Sequence, residues 1–388
     1  MSSSVAAEFA ADSRESFLSA HAADLYDELT EGCARPLRLE ELVSAAAVAV
    51  PGLVPTDDEM DAERGRALAD KLGVERAQGL LISEILAVPR SGRHLVESLL
   101  RPTSLALERL DEFRANGVVD LGAARVSRQG RAGVLELRNP RHLNAEDGVT
   151  LLPTEAAVDL ILLDPEIEVG VIRGGVVDHP RYAGERVFGS GINLTHLYRG
   201  RIDFLFYLVR DMGYVNKIFR GLAGGAEKLW IAAVERFAIG GACQLLHVVD
   251  HVIATRGARL YLPARKVGII PGASNLRLPR FVGDRAARQA ILSGREWVAG
   301  EPDAAALVDE VIEPAEMDAA VAARIEALTS SGLVSAAANR RLMRTGAESI
   351  DLFREYMSAY AREQADCHLS PALISNLERH WNAHNRSL

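Results

Sequence analysis

Cysteine is scarce in this 388-residue chain: Cys33, Cys243 and Cys367 lie far apart and form no Cys-x-x-Cys. That excludes a disulfide framework and a zinc knuckle and makes the cytoplasm the expected compartment. A basic surplus is also missing, since 44 basic against 53 acidic residues give a formal net charge of −9. Phosphate contacts to a nucleic acid want the opposite balance, so no nucleic-acid partner is expected and any anionic ligand must be held by a local patch. Long apolar runs are absent too. The most apolar early stretch, residues 42–50, stops at Pro51-Gly52, well short of the ~18–20 residues that span a bilayer. Residues 1–15 carry no basic stretch ahead of an apolar one, so neither export nor membrane attachment is expected. No strand-linked Gly-x-Gly-x-x-Gly for flavin or nicotinamide stands out, and no two-histidine-one-carboxylate set for iron can be assigned.

What is present is enough apolar sequence, 48% against 25% charged, to offset the entropy of ordering. The length exceeds one ordinary domain of ~150–250 residues, which suggests a large enzyme domain and a smaller second region. Residues 1–125 are rich in Ala, Leu, Glu and Arg, with apolar positions three and four apart in 61–72, 78–87 and 91–115. They are expected to form a helical N-terminal domain. The alternating run at 133–137 marks a change of period. Further strands are expected at 168–173, 230–235, 251–254 and 259–262, with helices at 155–163 and 245–251. Strand, glycine-bearing turn and helix recur, so residues 126–315 are expected to form a layered α/β core with crossover helices. Helical spacing returns from 316 to 388, in 319–328, 336–343 and 352–366.

Two turns of small residues could present backbone N–H groups to a ligand: Gly189-Ser-Gly191-Ile192, and Gly240-Gly241-Ala242 opening a helix. Such donors, brought together on one carbonyl oxygen, make an oxyanion hole. Glycines in these settings also serve tight turns alone. The residues around them resemble a known family. Leu137-Arg-Asn-Pro140, Leu143-Asn-Ala145, Phe188-Gly-Ser-Gly-Ile-Asn-Leu194, Val234-Glu-Arg-Phe-Ala-Ile-Gly-Gly-Ala-Cys-Gln244 and Gly268-Ile-Ile-Pro-Gly272 stand in the order of the crotonase (enoyl-CoA hydratase/isomerase) superfamily. The long helical N-terminal region, Leu208-Val-Arg-Asp-Met-Gly-Tyr214, Leu262-Pro-Ala-Arg-Lys266 and Tyr360-Ala-Arg-Glu-Gln-Ala365 are similar to one branch, the cofactor-independent 3,5-dihydroxyphenylacetyl-CoA 1,2-dioxygenases of glycopeptide-antibiotic biosynthesis.

The resemblance implies an α/β crotonase ββα spiral core, with C-terminal helices belonging to the same fold. It implies Ile192 and Gly241 as oxyanion-hole donors, and Glu146 as an acidic group handling protons or orienting substrate and water. It further implies Arg210 near the substrate's aromatic hydroxyls and Gln244 beside the thioester. Gln244 and Ala264 stand where hydratases carry their two water-activating carboxylates, which makes hydration improbable. Departures from the pattern are Glu235-Arg236, Ala242, the absence of proline after Lys228, and Asn216. Glu146 also reads as a first-turn helix acid, and Arg210 as a surface ion-pair partner. Arg138, Arg141 and His142 are the local basic candidates for coenzyme A phosphates, or else a solvated basic turn. His247 and His251 would share one helical face at i, i+4 but lack an evident third metal ligand, so no metal is expected. The implied enzyme takes an acyl-CoA thioester with O2 as co-substrate, uses neither metal nor flavin, and forms a homo-oligomer, a trimer or a dimer of trimers. A thioester hydrolase in which Glu146 activates water, and a non-catalytic acyl-CoA-binding protein, are the alternatives.

Overall fold

The computed structural model of the chain describes residues 13–225 and 227–386, so the reading of the extreme N-terminus lies largely outside the described residues. Among the described residues six α-helices come first: α1 Arg14–Leu29, α2 Leu39–Ala49, α3 Asp57–Arg64, α4 Arg76–Ala87, α5 Pro89–Leu99 and α6 Ser104–Asn116. The stretch of helical spacing over 91–115 is two helices. Pro102 interrupts the pattern, and the Thr103 hydroxyl accepts from the Ala106 N–H to start α6. Helix then gives way earlier than residue 125, because β1 Val118–Asp120 and β2 Ala124–Gln129 already pair antiparallel. Each of those strands is short, and β2 buries only Ala124 and Val126 fully, too few alternations to override a helical reading.

β3 Ala132–Leu137 pairs with β2, and α7 Leu151–Leu163 leads to β4 Val169–Gly174. Next come α8 Leu194–Tyr198, α9 Leu205–Met212, α10 Tyr214–Arg220, β5 Leu229–Val234, β6 Phe237–Ile239, α11 Gly241–Leu245, β7 His251–Thr255, β8 Arg259–Tyr261 and α12 Ala264–Val267. The chain closes with α13 Ser274–Ser293, β9 Glu296–Val298, β10 Glu310–Ile312, α14 Met317–Thr329, α15 Leu333–Ala347, α16 Ile350–His368 and α17 Pro371–Trp381. A seven-stranded sheet has the order β1-β2-β3-β4-β5-β7-β10, parallel from β3 onward, and a second sheet has the order β6-β8-β9. This is the expected α/β class.

Both faces of the large sheet are covered, as parallel sheets require. In β5, Trp230, Ala232 and Val234 face a core shared with α6, α7, α10 and α13, while Leu229, Ile231 and Ala233 face a smaller one against α14. Lys228, which no proline follows, is buried at the strand's entry. Its ammonium donates to the Ile161 and Asp164 carbonyls at the end of α7, 2.5 and 2.6 Å away, and burial pushes its pKa down to about 8. A third core joins α1, α2, α4 and α5 to α9, α16 and α17.

The helix expected at 245–251 is corrected: α11 ends at Leu245 and His251 opens β7, opposite Ile231. Pairing outcompetes helix there because the Asp250 N–H and carboxylate exchange hydrogen bonds with the Trp230 backbone. His247 and His251 therefore share no helical face. Buried His247 meets the Ser274 hydroxyl at 3.1 Å, and His251 meets Glu310 at 3.0 Å.

Candidate active site

A cavity of about 960 Å³ is bounded by residues from both sheets' connections and from the C-terminal helices. Glu146, Ile192, Arg210, Gly241, Gln244, Arg141 and His142 all line it. Glu146 sits on the loop between β3 and α7, which buried Asn144 clamps by donating to the Gly175 and Val187 carbonyls at 2.9 and 2.7 Å. Leu143 and Asn144 take positive φ there, 55° and 53°, a conformation stabilised by the asparagine's own hydrogen bonds. Asn139 braces the same loop through the Ala145 carbonyl and Asp147. Glu146 is thus not a first-turn helix acid. It forms a parallel bridge with Ile192, its N–H donating to the Gly191 carbonyl and its carbonyl accepting from Asn193, each at 2.8 Å.

That bridge uses the Gly191 carbonyl and the Asn193 N–H on either side of Ile192 and leaves the Ile192 N–H without a protein acceptor among the described residues. Gly241 is the first residue of α11, so its N–H is one of the unpaired donors every helix start carries. The two turns touch: a carbon built on Gly191 would lie 3.0 Å from the Gly241 nitrogen. At Gly241 itself, an added carbon would lie 1.9 Å from Glu146 Oε2, so only glycine admits the carboxylate this close.

Arg210 on α9 organises the pocket floor. Its Nε donates to Glu146 Oε1 at 2.9 Å, Nη1 to Asp211 Oδ1 at 3.1 Å and to Gln244 Oε1 at 3.0 Å, and Nη2 to the Gly241 carbonyl at 2.7 Å. Its side chain is only 4% exposed, which corrects the surface ion-pair reading. Burial alone would lower its pKa, but Glu146, Tyr214 and Asp211 outweigh that and carry it above the ordinary arginine value. Tyr214 also donates to Glu146 Oε1. Burial raises the Tyr214 phenol well above its usual range, so it stays a donor. Both protein donors therefore converge on one carboxylate oxygen, and Oε2 is left beside the Gly241 backbone. Asp211 is raised by burial against the pull of Arg210.

Of the basic candidates, Arg138 is the exception. It does not line the cavity and pairs instead with Glu136 at 2.6 Å and Asp120 at 2.8 Å. It sits on the β3 exit, where neighbouring strands supply carboxylates, so its charge is spent within the sheet edge. His142 stands 5.2 Å from the His196 ring, and burial followed by His196 lowers its pKa. Arg181 and Lys266 line the same cavity without having been singled out. Tyr214, Asp211 and Tyr360 were also missed as site residues. Tyr214 lies across the Gly213 break from Arg210, on the next helix, so their spacing of four gives no helical signal, and Tyr360 arrives from α16. Among the described residues no group of three or more His, Cys, Asp or Glu is arranged to hold a metal ion, and no helix is long and apolar enough to cross a membrane.

A family model described as Enoyl-CoA hydratase/isomerase matches residues 128–359. A protein of Amycolatopsis orientalis named (3,5-dihydroxyphenyl)acetyl-CoA 1,2-dioxygenase is 50% identical over 360 residues, covering 91% of this chain and 82% of that protein. A probable enoyl-CoA hydratase of Rhizobium meliloti is 31% identical over 246 residues, covering 61% of this chain and 90% of the hydratase. Among solved structures, an enoyl-CoA hydratase/isomerase from Xanthobacter autotrophicus Py2 is similar in fold, with a TM-score of 0.57 at 21% identity over 68% of this chain and 96% of that one.

Proposed function

The chain belongs to the enoyl-CoA hydratase/isomerase family, and on that premise we propose that it is a dioxygenase converting 3,5-dihydroxyphenylacetyl-CoA and O2 to 3,5-dihydroxyphenylglyoxylate and coenzyme A. The observation that carries this reading is the meeting of two unpaired backbone donors, Ile192 and Gly241, with a single poised carboxylate, Glu146. The likeness to the Amycolatopsis protein supports the choice of substrate.

The thioester oxygen docks between the Ile192 and Gly241 N–H groups, which lowers the pKa of the adjacent CH2 by stabilising its enolate. Glu146 Oε2 is the base, and Arg210 and Tyr214 hold the carboxylate through its other oxygen. The carbanion, spread onto the aromatic ring, transfers electrons to O2 and forms a carbon–oxygen bond. The resulting peroxide attacks the thioester carbonyl and expels the thiolate, and loss of the remaining α-proton as the O–O bond cleaves leaves one oxygen in the ketone and one in the carboxylate. In this reading neither metal nor flavin takes part. Gln244 and Ala264, at the positions where hydratases carry carboxylates, favour this course over addition of water. Arg141 and His142 are proposed to meet the coenzyme A phosphates, and the assembly to be a trimer or dimer of trimers, as sedimentation would show.

The decisive experiment incubates chelator-treated protein with 3,5-dihydroxyphenylacetyl-CoA under ¹⁸O2. Two labelled oxygens in one product molecule, with free thiol released and O2 consumed, are expected. Free thiol without O2 uptake would mean a hydrolase, and neither signal would mean binding alone.

A further inference from the structure

Tyr360 has no part in the mechanism above, yet its side chain lines the same cavity as Arg210, Asp211 and Gln244. The residue is 3% exposed, and its hydroxyl is buried with no hydrogen-bond partner among the described residues. Buried hydroxyls almost always find a partner, and one that does not is costly unless something else supplies it. The ring is held in place on α16: it stacks on Tyr356 with centroids 6.1 Å apart and planes 14° apart, and Tyr356 is itself tied to the Gly272 carbonyl. Gly272 in turn packs against the carboxylate of Asp211 and the amide of Gln244. Burial, with Asp211 next in effect, holds the Tyr360 phenol well above its usual pKa, so it remains a neutral group able both to donate and to accept.

We propose that the Tyr360 hydroxyl is a specificity-determining group that hydrogen-bonds a ring hydroxyl of the substrate, the one not met by Arg210. Arg210 already spends four of its N–H donors on protein partners, so a second ring hydroxyl needs another anchor. A site built to pair a hydroxyl rejects the analogue that lacks it, because its own polar group is then stranded. The assignment rests on the dioxygenase reading of the site.

The test compares kcat/KM of wild type and Tyr360→Phe on 3,5-dihydroxyphenylacetyl-CoA and on 3-hydroxyphenylacetyl-CoA, by O2 uptake and thiol release, with the melting temperature of each protein. Wild type is expected to prefer the dihydroxy substrate by about tenfold or more. Tyr360→Phe should lose about tenfold on that substrate, change less than about twofold on the monohydroxy one, and melt no lower than wild type. Equal losses on both substrates, or no loss on either, would overturn the assignment while leaving the dioxygenase reading intact. So would a wild type indifferent to the second hydroxyl, a result that needs no variant to fold. A wild type that consumes no O2 with either thioester would bring down the dioxygenase reading, and this assignment with it.

Discussion

At Glu146 the two carboxylate oxygens have different surroundings: Oε1 receives Arg210 and Tyr214, and Oε2 faces Gly241. Orientation by one oxygen leaves the other for proton transfer, so charge at this position is expected to matter more than shape. Glu146→Gln should lower turnover by about 10²–10³-fold while circular dichroism and melting temperature stay close to wild type; unchanged turnover would remove Glu146 from the mechanism. Gly241 tests the same contact from the other side. Gly241→Ala places a methyl where Glu146 Oε2 now lies, and either the carboxylate or the N–H donor must move. O2 uptake should fall by about 10²-fold or more, the size of effect seen when an oxyanion donor is lost, with a stability cost of about 1–3 kcal/mol from overpacking. Polar identities at these positions could be read from sequence, because Leu143-Asn-Ala and Phe-Ala-Ile-Gly-Gly are local patterns. The Tyr214 contact could not, because it depends on the Gly213 break between α9 and α10, where ψ is −115°.

Among the elements, α9 has the most to hold, since it carries Arg210 and begins against the N-terminal helices. Glu75, just ahead of α4, accepts from the Phe204 N–H at 2.6 Å and pairs with Lys71 and with His368 at the end of α16. Burial pushes this carboxyl up, but His368 and Lys71 overcome that and bring its pKa from 4.5 to about 2. A folded-state pKa below the unfolded value adds stability above pH 4.5 that fades as pH falls toward 2. Glu75→Gln should therefore cost about 3 kcal/mol at pH 7, and its deficit relative to wild type should shrink below pH 4.5, as urea unfolding at several pH values would show. A deficit independent of pH would mean that packing, not ionisation, sets the effect. Helix α11 shows the limit of periodicity. The run after Gly241 has helical spacing, but β5 and β7 claim the backbone from Asp250 onward.

In the whole molecule, the proposed division at residues 125 and 315 is one of architecture rather than of independent cores. Residues of α1, α2, α4 and α5 share a hydrophobic cluster with α9, α16 and α17, and α6 packs into the cluster beneath the large sheet. The full chain is accordingly expected to unfold in one calorimetric transition, with O2 uptake lost at the same temperature; two separated transitions would show that the helical region folds apart from the core. The hydratase relative aligns with 61% of this chain and the dioxygenase relative with 91%. Local sterics and side-chain chemistry were enough to specify the recurrence of strand, turn and helix in the core, the glycine turns and the polar signature residues, since these depend on neighbours within a few positions. Which groups meet depends on packing between elements tens to hundreds of residues apart. Only that packing sent Arg138 to the sheet edge, separated His247 from His251, buried Arg210 beneath Glu146 and brought Tyr360 from α16 into the cavity wall.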